Sequence, residues 1–361
     1  MAIASVHSNM MFGARHPAQI IQSLPAALAT MLDPADCGPA FIGLPQDVQG
    51  WTYDYPVSFF QERVHHIRQQ PVDKAELSAA ADLLKSAKRP MIIAGGGVQY
   101  AGAVRALTEF AEAHAIPVVE TIAGRANLLN DHPLNIGPLG VTGSDSANAI
   151  AEQADVILAV GTRLQDFTTG SWTAFARDAQ IIGMNVGRHD AAKHMSMTVV
   201  GDAKLTLPGL GQAAAGYASP QAWTAQAQTE RAKWNAYVAE NTRAGNGPAS
   251  YAQAIGIVNA QCDPQDRIVA AAGGLPAEVT ANWKTLGIST VDVEFGFSCM
   301  GYEIAGGWGA RIAQSETAPC STITSISSQD PHSFETLRAV PIGLSSRAFV
   351  SPAANDKISV L

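Results

Sequence analysis

Val156-Ile157-Leu158-Ala159-Val160-Gly161-Thr162-Arg163 sets five consecutive apolar residues, three of them β-branched, against a glycine. A short unbroken apolar run that ends at a turn residue reads as a strand buried on both faces, as in a parallel sheet covered by helices. Met91-Ile92-Ile93-Ala94, running into Gly95-Gly96-Gly97, repeats the pattern upstream. Between and beyond these runs the sequence predicts a helix over 101–114 and strands at Val118-Val119-Glu120, Ile181-Ile182 and Thr198-Val199-Val200. Ahead of them, Asp73 and Glu76 have capping-box spacing, and Leu77, Ala80, Ala81 and Leu84 mark one apolar helix face. Strand and helix alternation of this kind makes an α/β domain with a parallel sheet, here a Rossmann-like domain over residues 72–215.

Partial α/β units flank it. Upstream, Ile20, Ile21, Leu24, Leu28 and Met31 recur at helical spacing, and Pro25 predicts a break with a second short helix capped by Ser23. Turns at Asp33-Pro34 and Gly38-Pro39 lead into a strand over 40–44, so residues 1–60 read as the end of a domain, followed by a connector to Pro71. Downstream of a joint at 216–220, residues 221–242 predict a long polar linker helix. A third unit over 245–312 holds a helix at 251–259, a strand at 268–271 and a helix at 277–283. Past Ala313 the chain turns Ser/Thr-rich, as in Ser321-Thr322-Ile323-Thr324-Ser325-Ile326-Ser327-Ser328. Residues 313–361 are expected to be an atypical tail, disordered or read from a shifted frame, with a strand only at Ala348-Phe349-Val350.

Composition narrows the function. With 31 acidic and 23 basic side chains the net charge is −8, and no Lys/Arg run could track a phosphate backbone, so nucleic acid is not an expected partner. No apolar stretch reaches the roughly 18 residues that cross a bilayer. The residues from Met1 to Phe12 lack a basic segment followed by an apolar core, and a cytoplasmic protein is expected. Cys37, Cys262, Cys299 and Cys320 form no C-x-x-C pair and are expected to be free, mostly buried thiols.

Gly95-Gly96-Gly97 could present N–H groups to a phosphate of NAD or FAD, or could simply make a tight strand-to-helix turn; its spacing is not G-x-G-x-x-G. Arg163 and Asp166, past the carboxyl end of a strand, could pair with each other or meet a ligand. His189 and His194 do not share a face of a regular helix and read as surface residues. Gly201-Asp202 imitates the start of a G-D-G metal motif, yet Asp202 is placed to cap the helix carrying Leu205 and Leu210. Asp292 and Glu303 have no evident partner that would tune them for acid–base work, and solvated or capping roles are expected.

Five segments carry a resemblance: Leu44-Pro45-Gln46-Asp47-Val48-Gln49-Gly50; Glu120-Thr121 with Ala123-Gly124; Gly140-Val141-Thr142-Gly143-Ser144; the string from Gly161 to Trp172; and that from Gly296 to Ala310. Over residues 15–312 they resemble the thiamine-diphosphate (ThDP)-dependent hydrolase family that opens the trihydroxycyclohexanedione ring in inositol breakdown, within the acetolactate-synthase-like superfamily. The resemblance implies three domains: the end of a pyrimidine-binding domain at 1–60, a whole central domain at 72–215, and the beginning of a diphosphate-binding domain at 245–312. It implies ThDP and Mg²⁺ as family cofactors, a small cyclic dione as substrate, 5-deoxyglucuronate as product, and a homo-oligomer or an association with an intact homologue. Matched to the family's cofactor region are Gly273, Gly274 and Leu275, and Cys299, Met300 and Gly301 beside the aminopyrimidine. No residue matches the family's activating glutamate or its G-D-G and asparagine, so no catalytic residue and no metal ligand is assigned, and this chain is expected to be an inactive fragment whose own binding of ThDP is doubtful.

Overall fold

Proline in the sixth position of a helix removes one hydrogen bond, and α1 (Ile20–Leu32) tolerates that loss. In the computed structural model it runs unbroken through Pro25, against the expected break. Ser23 is not a cap; its hydroxyl donates to the Gln19 carbonyl at 2.8 Å, and the helix is entered through a 3₁₀ turn capped by His16. The structure describes residues 10–245, 247–271, 273–294, 296, 299–313, 322–326 and 347–350. A strand not foreseen, β1 (Met10–Gly13), pairs in parallel with β2 (Ala40–Gly43), so α1 is the crossover of a βαβ unit. Tyr53, Tyr55, Phe59 and Phe60 form an aromatic chain after it, edge-on except where Tyr55 stacks on Phe59, and the Tyr55 hydroxyl donates to the Pro17 carbonyl at 3.0 Å.

Next in the chain come α2 (Lys74–Ser86), β3 (Pro90–Ala94), α3 (Gly96–Tyr100), α4 (Val104–His114), β4 (Val118–Glu120) and β5 (Asn135–Pro138). After these follow α5 (Asp145–Ala151), β6 (Val156–Val160), β7 (Gln180–Asn185), β8 (Met197–Val200) and α6 (Ala203–Ala213). The six strands are all parallel, in the order β5-β4-β3-β6-β7-β8. Counted from β3, this is the doubly wound 3-2-1-4-5-6 order. Period-2 alternation sorts the strand residues: Ile92, Val118, Leu158 and Ile182 face α2, α4 and α6, while Met91, Ile93, Val119 and Ile157 face α5. β5 escaped the sequence because Asn135-Ile136-Gly137-Pro138 reads as a turn; at a sheet edge the missing N–H of Pro138 does no harm. Asp73 caps α2 as expected, accepting from Ala75 N at 2.8 Å, but the Glu76 carboxylate does not reach back to it. Glu76 accepts from Val200 N at 2.8 Å and ties the first helix to the last strand.

The polar helix after this domain, α7 (Gln221–Asn241), is not a free linker. Trp223, Ala227, Arg231, Trp234 and Val238 recur every three or four residues and are buried, on a stripe too narrow to outweigh the polar average. α7 covers α5 and β5, and Trp223 Nε1 donates to the Pro90 carbonyl at 2.8 Å. Beyond it lie α8 (Tyr251–Asn259), β9 (Arg267–Ala270), α9 (Gly274–Asn282), β10 (Val291–Val293), α10 (Tyr302–Ala313), β11 (Thr322–Ile326) and β12 (Arg347–Val350). A second parallel sheet has the order β10-β9-β11-β12. The Ser/Thr-rich run therefore supplies a strand beside β9, where β-branched threonine is at home, and the strand expected at 348–350 is β12. The remainder of 313–361 lies outside the described residues. Arg125 Nη2 donates to the Trp283 carbonyl at 2.7 Å, Thr285 Oγ1 to the Leu128 carbonyl at 3.2 Å and Ser289 N to the Ala126 carbonyl at 2.9 Å, joining this unit to the central one. No helix among the described residues is long and apolar enough to cross a membrane.

Candidate functional site

Parallel pairing of β9 with β10 puts the carboxyl ends of both strands on one sheet edge. Gly273 follows β9, and Cys299, Met300 and Gly301 follow β10, so the two groups picked out in the sequence open on the same edge. Gly273, at φ 124°, enters α9 in a conformation that favours glycine, and its carbonyl accepts from Ala277 N at 3.2 Å. A Cβ on Gly274 would stand 3.1 Å from the Tyr251 ring, so the tight approach of α8 depends on its absence. Leu275 is fully buried in the core of the unit, where it anchors α9; what it offers a ligand is its first-turn N–H. Cys299 N donates to Glu294 Oε2 at 2.9 Å, and Gly301, at φ 94°, donates its N–H to Glu303 Oε2 at 3.0 Å. Met300 is exposed between them.

Glu303 takes the capping role, one of the two expected for it: its buried carboxylate accepts at the start of α10. Two other expectations change. Asp292 does have a partner, Arg267 Nη1 at 2.6 Å. Cys299, in the loop after β10, and Cys37, in the loop between α1 and β2, are free thiols but exposed. Tyr302 is raised above the usual phenol range by burial first, and then by Asp292, Tyr100 and Glu294. Tyr100 lies at the end of α3, so the edge looks toward the central domain.

The crevice where the central strand order reverses, between β3 and β6, is where doubly wound sheets take ligands. Here main chain fills it. Gly97 N donates to the Gly161 carbonyl and Gly95 N to that of Val160, both at 2.9 Å, and Val98 N donates to the Gly95 carbonyl at 3.2 Å. A Cβ on Gly97 would meet Gly161 Cα at 2.8 Å. These glycines let two turns touch, and the N–H groups a phosphate would need at Gly95 and Gly97 are engaged.

An open cavity of about 1210 Å³ lies near the carboxyl ends of β6 and β7, lined among others by Asp36, Arg163, Arg188, His189, Asp190 and Lys193. Lys193 Nζ bonds Asp190 at 2.8 Å and the Arg163 carbonyl at 2.6 Å. His194 stacks on Trp172, apart from His189. Asp202 caps α6 by accepting from Lys204 N at 2.9 Å. Among the described residues no three or more His, Cys, Asp or Glu side chains gather as a metal would require. The β9–β10 edge thus brings together glycine turns, which allow close approach, and an exposed, polarizable methionine. It offers no described set of oxygen donors for the ion that would accompany a diphosphate.

Sequence reasoning missed a buried charge cluster where the turn after β4 meets the end of α9. Glu120 and Arg125, both almost wholly buried, pair at 2.5 Å, and Glu120 Oε1 accepts from Leu128 N at 2.9 Å. Arg231, on the buried face of α7, reaches Asn130 Oδ1 at 2.7 Å. A charged residue closing the apolar run Val118-Val119-Glu120 was the available signal, as was an arginine in register with Trp223, Ala227 and Trp234.

Residues 77–210 match the family described as thiamine pyrophosphate enzyme, central domain. The chain is 38% identical over 322 residues to the 3D-(3,5/4)-trihydroxycyclohexane-1,2-dione hydrolase of Geobacillus thermodenitrificans, covering 82% of this chain and 50% of the relative. It is 37% identical over 322 residues to the hydrolase of that name from Bacillus licheniformis, again over 82% and 50%. With the Clostridium perfringens hydrolase it shares 35% identity over 325 residues, 83% of this chain and 51% of the relative. The chain spans about half the length of these relatives. Its six-stranded unit is thus similar to the central domain of thiamine pyrophosphate enzymes, and over about four-fifths of its length the chain is similar to relatives named as trihydroxycyclohexanedione hydrolases.

Proposed function

We propose that this chain is part of a ThDP-dependent carbon–carbon hydrolase that opens the ring of trihydroxycyclohexane-1,2-dione to 5-deoxyglucuronate, in the cytoplasm. The observation that carries the reading is 35–38% identity to hydrolases of that name, extended over 82–83% of the chain and so beyond the central domain alone. In this reading residues 1–60 belong to a pyrimidine-binding domain and 245–312 to a diphosphate-binding domain. Bound ThDP would supply an acyl-anion equivalent, which no side chain provides. The part left to this chain is positional. First-turn N–H groups of α9 and the turns at Gly273 and Gly301 allow close approach, Met300 offers an apolar wall, and Leu275 holds α9 against the sheet.

These 361 residues contain no G-D-G tripeptide, and the described ones gather no metal-donor set; both support weak ThDP retention and no turnover by this chain alone. The assembly is a homo-oligomer or an association with an intact homologue, and only the homologue would bring the glutamate and the G-D-G that these residues lack. The exposed stripe Ile304, Trp308 and Ile312 on α10 supports such an association. A chimera tests the family reading: residues 15–312 replacing the matching half of the Geobacillus hydrolase should keep ring opening, measured as ThDP-dependent dione consumption. A folded, ThDP-loaded chimera that leaves the dione intact would overturn it. Calorimetry with ThDP and Mg²⁺ tests the second part, which tight, magnesium-dependent uptake by the 361-residue chain would refute.

A further inference from the structure

Where α7, α9 and the turn after β4 meet, Arg125, Asn130, Arg231, Trp234, Asn282 and Trp283 line a cavity of about 10 Å³. That is roughly one water-sized sphere. Arg125, Arg231, Trp234 and Asn282 are each at least nine-tenths buried. Each also has one polar atom without a hydrogen-bond partner in the protein: Arg125 Nε, Arg231 Nε, Trp234 Nε1 and Asn282 Oδ1. Folded proteins leave few such atoms unmatched, and four from the lining of one small cavity point to something held there.

Donor count and charge identify its chemistry. Three of the four atoms are N–H donors. The fourth, Asn282 Oδ1, is an acceptor and takes no part in holding an anion; the Asn282 nitrogen donates to the Glu278 carbonyl at 3.1 Å and carboxylate at 2.6 Å. Two guanidinium groups share one buried carboxylate. Glu120 takes Arg125, whereas the side-chain hydrogen bonds of Arg231 run to the neutral oxygens of Asn130, at 2.7 Å to Oδ1 and 3.4 Å to O. Burial first, and then the charge of Arg125, lower Arg231 to about 10, with Glu120 opposing. A buried cation without a counter-charge is costly, and a water molecule would satisfy donors without cancelling it.

We propose that this cavity binds one small monovalent anion, of the size of chloride, which accepts from Arg125, Arg231 and Trp234 and locks α7 to the third unit. Its volume excludes phosphate and carboxylates. Chloride replacing gluconate at constant ionic strength should raise the thermal midpoint of the full chain by about 3 °C, the shift of a weak site near saturation. Bromide should do the same, and crystals grown in bromide should show an anomalous peak within hydrogen-bond distance of the three nitrogens. Arg231→Met should abolish the salt difference; Trp234→Phe, which removes a donor and keeps a ring, should at least halve it. Equal midpoints in the two salts for the unmodified chain would overturn the proposal. So would a bromide peak without any midpoint shift, which would mark an adventitious ion only, and so would a water at the site with no anomalous signal.

Discussion

At the residue scale, the strongest commitments are where main chain touches main chain and where charge is buried. A side chain at Gly161 would meet two penalties: its φ of 58° favours glycine, and a Cβ would stand 2.8 Å from Gly97 Cα. Gly161→Ala should therefore lower stability by about 3–5 kcal/mol, read from the urea midpoint at unchanged slope. Glu120→Gln strands Arg125 in the interior and should cost about 3–5 kcal/mol in the same assay. Tyr217 gives a test in pH. Burial, and then Asp155, raise its phenol to about 12, while its hydroxyl donates to the Ala87 carbonyl at 3.1 Å. Since the unfolded phenol ionises near 10, the folded state holds the proton longer, and stability is lost as pH rises from about 10 to 12. Across that window the unmodified chain should lose stability relative to Tyr217→Phe, in paired urea titrations. Of these residues, the sequence discloses Gly161 as a turn; Glu120 and Arg231 show locally only as charges set in apolar patterns, and their meeting with Arg125 in the interior follows from long-range packing.

At the scale of elements, legibility followed amphipathic contrast. β6 and α8 lie at their expected bounds because each is a clean run between clear turn signals. β5 was invisible, being made of turn-forming residues, and α7 was taken for a linker because its buried stripe is narrow and includes an arginine. Capping is legible at Asp73 and Asp202, while the same cue misleads at Ser23 and the cap of α8 comes from the structure. Ser250 and Gln253 close a reciprocal capping box on α8, with Gln253 N donating to Ser250 Oγ at 3.2 Å and Ser250 N to Gln253 Oε1 at 2.9 Å. Ser250→Ala should cost about 1 kcal/mol and raise amide exchange mainly in the first turn of that helix. The candidate site was legible as two glycine-bearing loops, but their meeting on one edge required the β9–β10 pairing.

For the whole molecule, cohesion between the central domain and the third unit runs through a few bonds around Arg125, Ala126, Leu128 and Thr285. Glu120→Gln combined with Arg125→Met removes the charge pair and the bridge to Trp283 together. The double variant should unfold in two separated steps by tryptophan fluorescence and far-ultraviolet dichroism, where the unmodified chain gives coincident curves. Sheet order has a consequence during synthesis as well. β3 leaves the ribosome early and finds β4 soon, but its other neighbour, β6, is completed only after about 60 further residues, several seconds at roughly 5–20 residues per second. Through that interval Met91-Ile92-Ile93-Ala94 is a naked apolar ribbon, and nascent chains halted before residue 156 should be caught by chaperones that released full-length chains escape.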